Sequence, residues 1–141
     1  MKIQLLRPNV KLPVRGTEHS GGFDIYMPSS GSAIYGEPLK IALGFKTEIP
    51  VGYVALILPR SGAGFKNGVE LNNTCGVIDA DYRGEWFAMI NQKAGNTMLA
   101  WQEGERILQF ILVPVLTPEL EVVDQVNETC RGTGGLGSTG N

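Results

Sequence analysis

Arg60 and Ser61 follow Pro59 at the end of the apolar run Tyr53–Leu58. A guanidinium, a hydroxyl and neighbouring backbone N–H groups together suit an anion. The segment is not a Walker loop, because the chain contains no G-x-x-x-x-G-K-[ST]. Nor is Ser61 placed as a triad nucleophile: there is no G-x-S-x-G, and the one histidine, His19, lies in another segment. A second anion-suited stretch is Arg131-Gly132-Thr133-Gly134-Gly135-Leu136-Gly137-Ser138-Thr139-Gly140. It reads either as a mobile tail or as an arm whose N–H groups, hydroxyls and Arg131 close over an anion.

Three further segments carry chemistry. Ser20-Gly21-Gly22-Phe23-Asp24-Ile25-Tyr26 lets backbone approach closely and sets one acid between apolar residues. It also fits a plain turn entering a strand, with Asp24 solvated. Asn73-Thr74-Cys75-Gly76-Val77-Ile78-Asp79-Ala80-Asp81-Tyr82-Arg83-Gly84-Glu85 reads as strand, tight turn, strand, hence a β-hairpin. Asp79 and Asp81 project to one side if extended. Asp and Gly belong in turns anyway, but two Asp, a Tyr, an Arg and a Glu crowd into seven residues. In Gly104-Glu105-Arg106-Ile107-Leu108-Gln109, the polar Arg106 and Gln109 interrupt a run that continues apolar to Val115. Polar groups on a buried strand need partners. Arg106 is expected to pair with a carboxylate, and Gln109 serves as a structural hydrogen bonder or a ligand contact.

These segments punctuate short apolar runs: Ile3–Leu6, Tyr53–Leu58, Trp86–Ile90 and Ile107–Val115, with Lys46–Ile49 and Glu119–Val123 as further strand candidates. Such lengths with turn residues between them predict strands, and an all-β sandwich, jelly roll or barrel. Only Ser61–Asn67 has room for a short helix, which Gly62 and Gly64 weaken. The stretch Pro28–Pro38 reads as a variable loop. Glycine supplies 19 of 141 residues, against a usual share of about 7%. That excess argues against a mostly helical chain.

At 141 residues, 43% hydrophobic and 18% charged, the chain supports one core. Its net charge of −2 lacks the basic footprint of a nucleic-acid binder. No apolar run approaches the roughly 18 residues of a membrane span, and the N-terminal run is too short for a signal peptide. Cys75 and Cys130, 55 positions apart and without a CxxC or companion His ligands, read as free thiols of a cytoplasmic protein, with a disulfide or metal site as the unsupported alternative.

Taken together and in this order, the five segments resemble the five motifs of the trimeric deoxyuridine triphosphatase (dUTPase) family. The resemblance runs from Ser20 to Gly140, and 76–84 and 131–140 are its most specific pieces. It implies an all-β, β-clip or distorted jelly-roll-like domain over 1–130, with a Gly-rich arm over 131–141. It implies hydrolysis of dUTP to dUMP and pyrophosphate with Mg²⁺, in a homotrimer of the cytoplasm (the host cytoplasm for a viral copy), with neither nucleic acid nor membrane as partner.

Roles follow where residues match. Asp79 is implied as general base for water attacking the α-phosphorus. Tyr82 is implied to pack on the deoxyribose and exclude a 2′-OH. The backbone of Gly76, Val77 and Ile78, with Asn73, is implied to pair with the uracil edge, and Phe87 to close the back of that pocket. Arg60, Ser61, Gly62 and Gln109 are implied to hold the α- and β-phosphates. Arg131, Ser138 and Thr139 are implied to bind the γ-phosphate as the tail closes, with Gly137 among the substrate contacts and Leu136 over the base. Asp24 is implied to reach the metal only through water, and Arg106 to brace the site. One position departs from the family pattern: Leu136 stands where a uracil-stacking Phe is usual, and offers no π-face. Smaller departures are Gly21 for Ala, Ala63 for Leu and Leu108 for Ala.

In the family the site is shared by three subunits: one gives the segments of Arg60 and Gln109, another that of Asp79, the third the tail. Two other readings exist, a dCTP deaminase of the same fold and a non-catalytic dUTP-sensing protein. The first sister family typically lacks both the Asp-x-Asp-Tyr-Arg-Gly turn and the Gly-Ser-Thr-Gly tail.

Overall fold

The structure, a computed structural model, describes residues 1–93 and 98–136. Its elements in chain order are β1 (Lys2–Leu5), β2 (Val14–Arg15), β3 (Gly22–Ile25), β4 (Gly31–Ile34), β5 (Leu39–Ala42), β6 (Phe45–Glu48), β7 (Tyr53–Pro59), α1 (Ser61–Asn67), β8 (Val69–Leu71), β9 (Gly76–Ile78), β10 (Phe87–Gln92), β11 (Met98–Trp101) and β12 (Leu108–Pro114). The expected all-β architecture with one short helix is what forms.

The largest sheet runs β2-β3-β12-β7-β9, and its ladders are antiparallel. Alternation along these strands separates two faces. Leu108, Phe110, Ile25, Ala55 and Ile57 turn inward and are buried. Asp24 and Gln109 stand opposite each other in the β3–β12 ladder, on the other face. The remaining sheets are β5-β10-β8, β1-β6 and β11-β4.

An aromatic chain ties the layers together. Trp86, fully buried, sits 5.1 Å from Phe45 and 5.2 Å from Phe110, edge-on to the latter. Phe110 in turn stacks on Phe23 at 5.0 Å. Each such pair adds about 0.5–1.5 kcal/mol beyond its burial.

The helix begins where Pro59 ends the β7 ladder. Arg60 is extended and supplies no side-chain cap, while Gly68 closes the helix in the left-handed region at φ 62°, its N–H reaching the Ala63 and Gly64 carbonyls.

Three expectations need correction. The segment 73–85 is not a hairpin: β9 pairs with β7, and β10 pairs with β5 and β8. Burial of Trp86 and its N–H bond to the Phe45 carbonyl (2.9 Å) carry the chain across the core. Glu119–Val123 forms no strand, because it pairs with no edge among the described residues; Leu120 and Val122 are almost fully exposed. The stretch Pro28–Pro38 contains β4, which pairs with β11.

Candidate active site

Asn73, Gly76, Val77, Ile78, Asp79, Tyr82 and Phe87, all singled out from the sequence, line one cavity of about 200 Å³. Its floor is β9. That strand is the last of its sheet, so its second edge carries backbone N–H and C=O groups that β7 does not use. Gly76 lies so close to Ile57 that a Cβ there would press on its side chain. The approach to β9 is set by a tight turn. Thr74 takes φ 69°, unusual for a β-branched residue, and its N–H meets the Leu71 carbonyl at 2.9 Å.

After Ile78, which is buried, the chain turns out to solvent. The Tyr82 N–H closes the turn on the Asp79 carbonyl at 3.2 Å, leaving Asp79 exposed at the cavity rim. Arg83 ties the same turn together through the Ala80 carbonyl at 2.7 Å. Phe87 is half-exposed, with the Lys40 ammonium 4.1 Å from its ring centroid. That contact comes from register: Lys40 faces Met89 and Ala42 faces Phe87 in the β5–β10 ladder.

A second cavity, of about 180 Å³, holds Asp24, Arg60, Ser61 and Gln109 together with Gly16, Ser20 and Gly22. Asp24 is 6% exposed and anchors it. Its Oδ1 takes Arg60 Nε at 2.7 Å and its Oδ2 takes Arg106 Nη1 at 3.1 Å. Arg106 therefore pairs with a carboxylate, as expected, although it lies exposed just before β12 and not on the strand, and its guanidinium also lies 5.7 Å from the Tyr26 ring. Gln109 donates from Nε2 to the Pro59 carbonyl at 3.1 Å. Its Oε1 lies over Gly22, where any Cβ would strike it. Arg60 and the Ser61 hydroxyl are donors that line the cavity, and both suit phosphate oxygens; Arg106 stands behind Asp24 and does not line it. Gly62 does not line this cavity, but follows Ser61 with open space above its Cα. Gly16 went unnoticed in the sequence, since a single Gly far from any polar cluster gives no signal.

The described C-terminal residues join neither cavity. Leu116, Leu120, Val122, Val126 and Leu136 are exposed, and Arg131 bonds only locally, Nε to the Gly134 carbonyl at 3.0 Å. Gly137, Ser138 and Thr139 lie outside the described residues. Among the described residues no three His, Cys, Asp or Glu side chains converge as a metal cage.

A family model described as dUTPase matches residues 8–140. The deoxyuridine 5′-triphosphate nucleotidohydrolase of Nautilia profundicola is 37% identical over 140 residues, covering 99% of this chain and 98% of that protein. That of Aeromonas hydrophila is 38% identical over 138 residues, covering 92% and 86%. The structure of Staphylococcus bacteriophage 80alpha dUTPase with dUpNHpp is similar at a TM-score of 0.88 and 28% identity, over 99% of this chain and 98% of that one. A mutant dUTPase from phage phi11 of S. aureus, solved for the coordination of a structural Mg(II) ion, is similar at 0.80 and 26%, over 88% and 96%. Matched along nearly its whole length in both sequence and fold, the chain belongs to the dUTPase family of nucleotide-hydrolysing enzymes.

Proposed function

We propose that this enzyme hydrolyses dUTP to dUMP and pyrophosphate in a site assembled from three copies of the chain. The observation that carries the reading is the meeting of Asp79, Tyr82 and the open edge of β9 in one cavity. Its volume is below the roughly 300–1,000 Å³ of drug-sized ligand pockets and suits a base with part of a sugar. Uracil's edge pairs with backbone N–H and C=O groups around Gly76, Val77 and Ile78, with Asn73 alongside. Cytosine reverses that donor–acceptor pattern and leaves buried groups unpaired. Tyr82 packs on the deoxyribose, and Phe87 closes the pocket.

Asp79 accepts the proton of a water that attacks the α-phosphorus in line with the departing pyrophosphate. Arg60, Ser61, Gly62 and Gln109 hold the α- and β-phosphates. Arg131, Ser138 and Thr139 take the γ-phosphate, Gly137 adds a substrate contact, and Leu136 covers the base. Of these groups, the described ones lie in a single chain in two cavities and, for Arg131 and Leu136, in an exposed C-terminal stretch. Their separation, and the exposed Leu120 and Val122, support sharing between subunits of a trimer.

The donor set fits Mg²⁺ only as an ion that keeps its waters. Asp24, the one buried carboxylate among the described residues, has both oxygens engaged by arginines, and no carboxylate cage accompanies it. Asp24 would hold the ion through water, and the bound ion would neutralise charge on the triphosphate.

The test is pyrophosphate release from dUTP, with Mg²⁺ and after chelation, beside UTP, dCTP and dTTP. Release selective for dUTP, dependent on the metal, and reduced at least about 100-fold in Asp79→Asn is expected. Release indifferent to that substitution overturns Asp79 as the base.

A further inference from the structure

We propose that Arg7 and Glu85 are positioning residues for Tyr82 and so set the preference for deoxyribose over ribose; this rests on reading Tyr82 as the residue against the sugar. Neither lines the cavity of Asp79, so both act through the tyrosine.

The Tyr82 hydroxyl donates to the Glu85 carbonyl at 3.1 Å. The ring lies folded back over Gly84, where a Cβ would collide with it. The position of the ring therefore depends on what holds Glu85. One oxygen of the Glu85 carboxylate, Oε1, accepts from Arg7 Nη2 at 2.7 Å and from the Gly44 N–H at 2.9 Å. Gly44 is fixed in its turn. Its carbonyl accepts from the Leu6 N–H at 2.8 Å, and its φ of +82° and the nearby Val10 side chain leave room for no other residue. Trp86, next in sequence, is fully buried, and the Leu43 N–H meets its carbonyl at 2.8 Å.

The Tyr82 turn is thus suspended between two supports. Ile78 on β9 holds one end, and the Arg7–Glu85–Gly44 node holds the other. Between them Asp79, Asp81 and Arg83 face solvent. Freed from the second support, the ring shifts outward and leaves space for a 2′-OH. A deoxyribose has nothing to fill that space, so it is accepted with the ring in either place. Loss of the node therefore changes the ratio between substrates more than turnover of dUTP.

The experiment measures kcat and KM for dUTP and UTP in wild type, Arg7→Met, Arg7→Lys, Glu85→Ala, Tyr82→Phe, Tyr82→Ala and the Arg7→Met/Tyr82→Phe double variant, with a melting curve for each. The dUTP:UTP ratio of kcat/KM is expected to fall about five- to tenfold in Arg7→Met and Glu85→Ala, as for loss of one charge-assisted hydrogen bond. Arg7→Lys should keep it within about twofold. Tyr82→Phe should reproduce the fall, and the double variant should fall no further, since both changes break one connected path. An unchanged ratio in folded Arg7→Met and Glu85→Ala, an additive double variant, or an equal loss on both substrates overturns the proposal. If Tyr82→Ala also leaves the ratio unchanged, the reading of Tyr82 itself fails. If Tyr82→Ala collapses the ratio and the other two do not, the positioning role alone fails.

Discussion

Asp24 binds Arg60 at 2.7 Å through one carboxylate oxygen and leaves the other for Arg106, so one acid orients both an arginine that lines the 180 Å³ cavity and one that does not. The acid is buried, while each arginine keeps more than a third of its side chain in water. Breaking a fully buried pair costs about 3–5 kcal/mol. Here the arginines rehydrate, so Asp24→Asn should cost about 2 kcal/mol in denaturant unfolding. The variant should also lose kcat/KM for dUTP, since Arg60 loses its direction although its charge remains. Unchanged stability would show that the two arginines hold their places without the acid.

How much of this was legible depended on how far apart in sequence the partners lie. The Arg106 pairing was expected because its segment runs into an apolar strand; Asp24 is the partner, although Arg106 itself is exposed and precedes β12. The residues of the 200 Å³ cavity were legible because they fall within fifteen positions, 73–87. Pairing was not. Gly76–Ile78 looked like half of a hairpin, yet its partner is β7 on the other side of the helix, and the error concealed that β9 has an open edge. The Glu85–Arg7 pair spans 78 positions, and no local pattern joins them. Glu119–Val123 has the apolar alternation of a strand but pairs with no edge among the described residues, and a strand without a ladder does not form.

Sharing of the site between subunits predicts rescue by mixing. Arg60→Ala and Asp79→Asn each remove a group from a different cavity. If one copy supplies Arg60 and another Asp79, co-refolded variants rebuild intact sites at their junctions. Random mixing in a symmetric ring should recover about a quarter of wild-type activity. If one copy supplied both groups, no mixture would exceed the separate variants. Pyrophosphate release before and after co-refolding decides it.

Thr74 carries strain that a substitution can release. Its φ of 69° costs a β-branched residue about 1–2 kcal/mol, and the Leu71 and Asn73 carbonyl bonds hold the turn there. Asn tolerates the left-handed region. Thr74→Asn should therefore stabilise the fold by about 1 kcal/mol in a denaturant titration. A neutral or negative effect would mean that the Thr74 side chain contributes as much as its conformation costs.

Leu136 offers the sharpest chain-specific prediction. It is fully exposed, consistent with a residue that finds its contact only when substrate is present. A leucine can cover the uracil ring but cannot stack on it, and base–aromatic stacking is worth about 1–3 kcal/mol per base. Leu136→Phe should thus lower KM for dUTP by about fivefold or more, with kcat little changed, because the phenyl acts on closure and not on the attacking water. Steady-state kinetics on dUTP check both numbers. A KM that is unchanged or higher would mean that Leu136 does not lie over the base, and would leave substrate retention to Arg131 and the phosphate contacts.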